Sequence, residues 1–275
     1  MNIRDKIILI TGGGSGIGLA LARGFIAHSN RVIICGRDLK KLESVRSANP
    51  ELTIYQCDIT DQSAVNRMAA EITKDFGYID ILINNAGSSE ITDILRDQKI
   101  LSQAEREMQQ NYFGALNVIE HFLPILRKSQ EPTIVNVSSA GAYAPIPIFG
   151  AYCAAKAALH SYTRSLRSQL KPIGIKVFEV LPPSVDTNLN SQLAEQIGSG
   201  NSGNMVISPE KLAAVAIKKM RHNVSEIRVG QTKFVNLLER ISPKIPDALF
   251  NRIFANYFKT ERVKASGSQT KRADS

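Results

Sequence analysis

Six short runs rich in Ile, Val and Leu recur along the first two thirds of the chain, each separated from the next by a longer segment. They cover 6–11, 31–35, 52–57, 79–84, 133–138 and 176–181, and helical patterns fill about 16–29, 38–48, 61–76, 102–128 and 151–171. Several runs lack the polar alternation of a half-exposed strand, as expected where both faces of a sheet are covered. Antiparallel strands are joined by short turns. Here every connection is long enough to hold a helix, so the pattern predicts a parallel sheet with helices on both sides. A seventh strand is expected near 226–230, behind a helix opened by Ser208-Pro209, because proline suits the first helical turn.

The first strand runs directly into Thr11-Gly12-Gly13-Gly14-Ser15-Gly16-Ile17-Gly18, and a helix follows. Glycines at such a strand-to-helix turn let the backbone approach a pyrophosphate, and the helix N-terminus presents free N–H groups to it. The spacing is Gly12-x-x-x-Gly16-x-Gly18 rather than G-x-G-x-x-G. The expected architecture is α/β, a Rossmann-type doubly wound parallel sheet of about seven strands spanning residues 1–258 as one domain. After the second strand comes Cys35-Gly36-Arg37. An acid at the place of Gly36 would hold the ribose hydroxyls of NAD. Arg37 instead offers a partner to a 2′-phosphate, so NADP(H) is favoured and NAD(H) stays open. Asp38 reads as the N-cap of the next helix.

Among seven tyrosines, only Tyr152 has a lysine four residues on, Lys156. That spacing puts phenol and ammonium on one helix face, where the cation is expected to lower the phenol pKa toward the range of a useful general acid. Ser139, thirteen positions upstream, can hydrogen-bond the same substrate oxygen.

Together these residues resemble the classical short-chain dehydrogenases/reductases over about residues 5–230. The TGGGSGIG run, comprising Gly12, Gly14, Ser15, Gly16, Ile17 and Gly18, is similar to that family's TGxxxGxG turn. Asn84-Asn85-Ala86-Gly87 is similar to its NNAG motif, and Ser139, Tyr152 and Lys156 stand at its spacing. The resemblance implies hydride transfer between nicotinamide and a carbonyl or alcohol carbon. By the same resemblance Asp58 and Ile59 face the adenine, and Asn85, Ala86 and Gly87 line the cofactor. Tyr152 is the proton donor, Lys156 its modulator and ribose contact, and Ser139 the substrate holder. Asn111 positions a water that connects Lys156 to solvent. Pro182, Val185 and Thr187 lie beside the carboxamide, with Pro182-Pro183 standing where the family commonly has Pro-Gly. This loop and the Tyr152 helix are similar to the DltE-like branch, which fixes no substrate. A rival reading keeps the fold and nucleotide but not turnover, as a sensor or scaffold. The intact Ser139–Tyr152–Lys156 set speaks against it.

Cys35, Cys57 and Cys153 have no metal-ligand or redox spacing, so reduced thiols and no metal are expected. The apolar run 7–10 is too short for a signal-peptide core and no run reaches membrane-spanning length, which points to a cytoplasmic chain. The net charge of +9 is unevenly placed: residues 210–275 hold 14 basic and 6 acidic side chains, while the rest is nearly balanced. That distribution does not suit a nucleic-acid binder.

Residues 186–207, ending in a Gly/Ser/Asn run, read as a lid, with Leu189, Leu193 and Ile197 as apolar contacts for a hydrophobic small-molecule substrate. A C-terminal amphipathic extension over 231–258 is expected to open a helix at Pro246-Asp247. It carries Leu249, Phe250, Ile253, Phe254, Tyr257 and Phe258 as a stripe. This stripe can cover the chain's own pocket or a twin subunit in a homodimer or homotetramer. It can also rest on an anionic membrane at the inner face, or meet an acidic carrier protein. Residues 259–275 read as a disordered basic tail.

Overall fold

The computed structural model describes residues 1–92, 94, 99–186 and 206–254. Seven parallel strands form one sheet in the order β3-β2-β1-β4-β5-β6-β7. They are β1 (Ile7–Thr11), β2 (Arg31–Gly36), β3 (Leu52–Gln56), β4 (Ile81–Asn84), β5 (Thr133–Val137), β6 (Lys176–Leu181) and β7 (Glu226–Arg228). β1 is central: Ile8, Leu9 and Ile10 pair with Val32, Ile33 and Ile34 on one side and with Ile81, Leu82 and Ile83 on the other.

The near-continuous apolar strands serve two cores at once. Ile8, Ile10, Ile34, Ile83 and Val180 point into the core covered by α1 (Gly16–Ile26), α2 (Leu39–Ala48) and α7 (Pro209–Arg221). Ile7, Leu9, Ile33, Leu82 and Val177 point into the opposite core, covered by α3 (Gln62–Phe76), α5 (Gly114–Leu126) and α6 (Gly150–Leu170). The period-two geometry of a strand divides each run between the two layers. Asp38 caps α2 by accepting from Lys41 N–H at 3.0 Å, and Ser208 caps α7 by accepting from Lys211 N–H at 3.2 Å.

Two helical expectations need correction. The pattern over 102–128 reads as one helix, but the structure divides it into α4 (Ile100–Met108), a π turn (Gln109–Phe113) and α5. The π turn admits an extra residue into the helical ladder and rotates the faces of α4 relative to those of α5. Asn111 lies in the middle of it, buried. At the C-terminus the pattern opens a helix at Pro246. In the structure α8 (Thr232–Ile241) comes first, and helical residues resume over 244–254 with Pro246 inside the first turn, where its missing N–H is harmless. Phe234, Leu237, Ile241, Ile245 and Leu249 are exposed along this segment. Tyr257, Phe258, the tail and nearly all of the 186–207 segment lie outside the described residues. Among the described residues no helix is long and apolar enough to cross a membrane.

Candidate active site

The sheet order reverses direction between β1 and β4, and a crevice opens there at the carboxyl ends of the strands. The glycine turn forms one wall. Gly12 and Gly16 hold positive φ (65° and 51°), a region side chains disfavour. A Cβ on Gly18 would overlap the Gly12 carbonyl and lie 2.5 Å from Asn85 Nδ2. Ser15 stands at the N-cap of α1 with extended backbone, and its hydroxyl makes no capping bond. The α1 N-terminus, the uncommitted hydroxyl and the close-packed glycines fit a bound pyrophosphate. Arg37 is exposed just past β2. Asp58 accepts from Thr60 N–H at 3.0 Å and Thr60 Oγ1 at 2.8 Å, both through Oδ1. The Ile59 side chain is buried in the α3–α5 core, and its carbonyl accepts from Asn117 Nδ2 at 2.8 Å.

Thr11, at the end of β1, couples this turn to β4. Its hydroxyl accepts from the N–H groups of Asn85 and Ala86, each at 3.0 Å, while Asn85 Nδ2 donates back to Thr11 O (3.0 Å) and Gly12 O (3.3 Å). A relay then runs across the sheet to α6. Asn84 Nδ2 donates to Asn136 Oδ1 at 2.9 Å, and Asn136 Nδ2 donates to Thr163 Oγ1 at 2.8 Å. The two asparagines of the NNAG motif thus do different work: one braces the glycine turn, the other holds the helix carrying Tyr152 and Lys156.

That helix, the π turn and the strand ends bring Asn111, Ser139, Tyr152 and Lys156 to one cleft, with Gly87 at its floor. Ile17, Ile146, Phe149 and Val185 supply apolar wall. Ser139 and Ser138 have opposite orientations. Ser138 is buried and donates to Glu179 Oε1 at 2.6 Å. Ser139 lines the cleft beside Tyr152 and accepts from Gly141 N–H at 3.1 Å. The double proline leaves the loop after β6 anchored: Pro182 O accepts from Ala140 N–H at 2.9 Å, and Val185 bridges to Ile207. Thr187 lies outside the described residues.

The electrostatics differ from the expectation drawn from spacing. Burial pushes the Tyr152 phenol up to about 12, more than the Ser139 hydrogen bond pulls it down. Lys156 does not counter this, because burial also discourages its own charge, lowering it to about 8. Its Nζ lies 5.8 Å from the Tyr152 ring centroid and donates to Val137 O at 3.1 Å. Tyr152 is therefore a firmly protonated phenol, and Lys156 a cation poised near neutrality.

Two buried carboxylates stand behind the cleft. Glu179 on β6 accepts from Ser138, and His160 Nδ1 lies 2.9 and 3.0 Å from its two oxygens. Nearby, Glu226 meets both the Tyr143 hydroxyl and Arg228, the latter at 2.8 Å. Glu107 on α4 accepts from Asn111 Nδ2 at 2.6 Å. Neither Glu107 nor Glu179 stands out in sequence, since glutamates at these positions read as surface residues. Only a Glu four residues before Asn111, hence one helical turn away, hints at the pairing. Cys153, beside Tyr152, is buried and accepts from Ile146 N–H at 3.4 Å, away from the chemistry.

A doubly wound parallel sheet with this cleft at its switch point defines a Rossmann-type oxidoreductase. The profile described as "short chain dehydrogenase" matches residues 6–198, and the chain belongs to the short-chain dehydrogenase/reductase family. It is 34% identical to "Uncharacterized oxidoreductase DltE" of Bacillus subtilis over 82% of this chain and 89% of that one. It is 30% identical to a fatty acyl-CoA reductase of Acinetobacter baylyi over 98% of this chain and 90% of that one. The solved structure of a short chain dehydrogenase from Burkholderia cenocepacia, in complex with NADP, superimposes with a TM-score of 0.75 at 26% identity. It covers 92% of this chain and 99% of that chain.

Proposed function

We propose that this oxidoreductase uses NADP(H) to interconvert a carbonyl and an alcohol on an apolar substrate. The observation that carries the reading is the convergence of Ser139, Tyr152, Lys156 and Asn111 on the cleft beside the glycine turn. When bound, the reduced nicotinamide supplies the hydride that reaches the carbonyl carbon. Ser139 holds the carbonyl oxygen. As the C=O pair collapses onto that oxygen, Tyr152 donates its phenolic proton, which a neutral phenol can do and a phenolate cannot. Lys156, kept cationic below about pH 8, stabilises the phenolate left behind. Asn111 directs the water through which proton supply returns. The backbone around Gly12–Gly18 would hold the pyrophosphate, Asp58 the adenine side and Asn85–Gly87 the ribose side. Ile17, Ile146 and Phe149 favour an apolar substrate, and the Acinetobacter relative's name suggests a fatty acyl group as one class to try.

The test is NADPH oxidation against aldehydes, ketones and acyl-CoA thioesters of increasing chain length. Turnover rising with chain length supports the proposal. Absence of turnover with the whole series, alongside tight NADPH binding, favours a nucleotide-sensing scaffold. Cofactor choice has its own test. Arg37→Glu removes a charge-assisted partner of the 2′-phosphate and is expected to weaken NADPH binding about 10- to 100-fold while strengthening NADH binding. Fluorescence titration of both cofactors reads this, and an unchanged preference would remove Arg37 from the 2′-phosphate site.

A further inference from the structure

We propose that Glu107 is a positioning residue for the proton-transfer centre: through Asn111 its carboxylate keeps Lys156 charged at neutral and mildly alkaline pH, where the buried ammonium would otherwise lose its proton. The inference rests on the function proposed above for Tyr152 and Lys156.

Glu107 is 1% exposed, on the inner face of α4. Both of its oxygens accept hydrogen bonds, Oε1 from Glu90 N–H and Oε2 from Asn111 Nδ2, each at 2.6 Å. A carboxylate satisfies both bonds. A protonated carboxyl must surrender one, because its own O–H takes the place of an acceptor. Asn111 Nδ2 also donates to Glu107 O (3.1 Å) and Ser88 O (3.0 Å). The amide nitrogen is thus surrounded by acceptors, and Oδ1 is turned the other way. Among the described residues Oδ1 is buried without a hydrogen-bond partner. It reaches the floor of the cleft at Gly87, where a Cβ would lie 2.5 Å from Oδ1 and 3.3 Å from Lys156 Nζ. Asn111 therefore stands between a buried carboxyl and a buried ammonium.

Of the three acceptors around Nδ2, Glu107 Oε2 is the closest and the one that can carry a charge. Lys156 makes no direct ion pair among the described residues; Glu107 and Glu179 are the acids that favour its cationic form. Burial raises Glu107 to about 7, against the hydrogen bonds and Lys156, which favour its ionised form. The groups facing it are Lys156, Tyr152 and Cys153 on α6, Glu90 before α4, and Arg106, which is engaged by Glu90 at 2.8 Å. Around neutrality Glu107 and Lys156 each titrate in the other's field.

The expected result is a pH-dependent defect. Glu107→Gln keeps the shape but is neutral at every pH. Its kcat/KM for carbonyl reduction should match the wild type near about pH 6, where Glu107 is largely protonated, and fall about tenfold below it near about pH 8. Glu107→Asp should retain part of the pH dependence. A defect of equal size at all pH values would mark a merely structural role and overturn the proposal. A second readout needs no substrate. In [13Cε]lysine-labelled protein, the Lys156 signal of the wild type should show a second inflection near 7, absent in Glu107→Gln, with its main inflection moved to lower pH. A single inflection in the wild type overturns the proposal even if Glu107→Gln fails to fold. If no carbonyl is reduced, the function proposed above fails while the lysine titration still decides the role of Glu107.

Discussion

Tyr152→Phe is expected to lower carbonyl reduction by about 10²- to 10⁴-fold, the usual contribution of a positioned general acid. NADPH affinity should stay within about twofold, since the ring and its packing remain and only the hydroxyl is lost. The phenol lines the cleft together with Ser139, and burial keeps its proton in place until about pH 12. The variant retains Ser139, Lys156 and the glycine turn, so residual hydride transfer would draw its proton from water. Steady-state kinetics on the best carbonyl, paired with a fluorescence titration of NADPH, measures both quantities. Activity within tenfold of wild type would transfer the acid role to another group. Loss of NADPH binding would mean that the hydroxyl serves the cofactor more than the substrate.

The second large effect is expected at Gly18, where there is no room for a methyl group. A Cβ there would overlap the Gly12 carbonyl and crowd Asn85 Nδ2 at 2.5 Å. Neither neighbour can yield cheaply. The Gly12 carbonyl belongs to the turn, and Asn85 Nδ2 is already committed to Thr11 O and Gly12 O. Gly18→Ala must therefore separate the turn from the end of β4 or tilt α1 away from the sheet. Overpacking of this kind destabilises by about 1–3 kcal/mol. Because the displaced backbone is also the proposed pyrophosphate cradle, NADPH affinity should fall by about 100-fold or more. Gly14→Ala is the control: its Cβ would meet Leu42 Cδ2 at an ordinary 3.4 Å, so stability should change by less than about 1 kcal/mol. Thermal unfolding of both variants, with and without NADPH, reads the contrast. Equal stability of the two would show that α1 shifts freely.

Much of this architecture is legible in the chain. Buried parallel strands announce themselves through runs such as Ile7–Ile10, and the Tyr152–Lys156 spacing holds on α6 because it needs only a regular helix. The glycine turn itself is legible from glycine spacing for the same local reason. What sequence did not disclose is everything that depends on burial or on a break in regularity. The π turn at Gln109–Phe113 has no compositional mark, so Asn111, picked out through the family resemblance, reads as lying on a continuous helix. A cation four residues from Tyr152 suggests a lowered phenol pKa, yet the fold desolvates both groups and the phenol rises instead. Glu107 looks like a surface glutamate until α4 is seen to turn it inward. The C-terminal stripe suggests a helix from Pro246, while α8, which precedes it, exposes Phe234, Leu237 and Ile241.

The central place of β1 also dictates how this chain must emerge during synthesis. β1 finds β2, and β2 then finds β3, so three of the seven strands can zip together early. Its other edge belongs to β4, and the Thr11 hydroxyl belongs to Asn85 and Ala86, none of which has yet been made. For that interval the nascent chain carries an open, strongly apolar strand edge at Ile8–Ile10, the kind of edge that invites pairing with a neighbouring chain. That exposure lasts until α3 and β4 have been translated and β4 can close the edge.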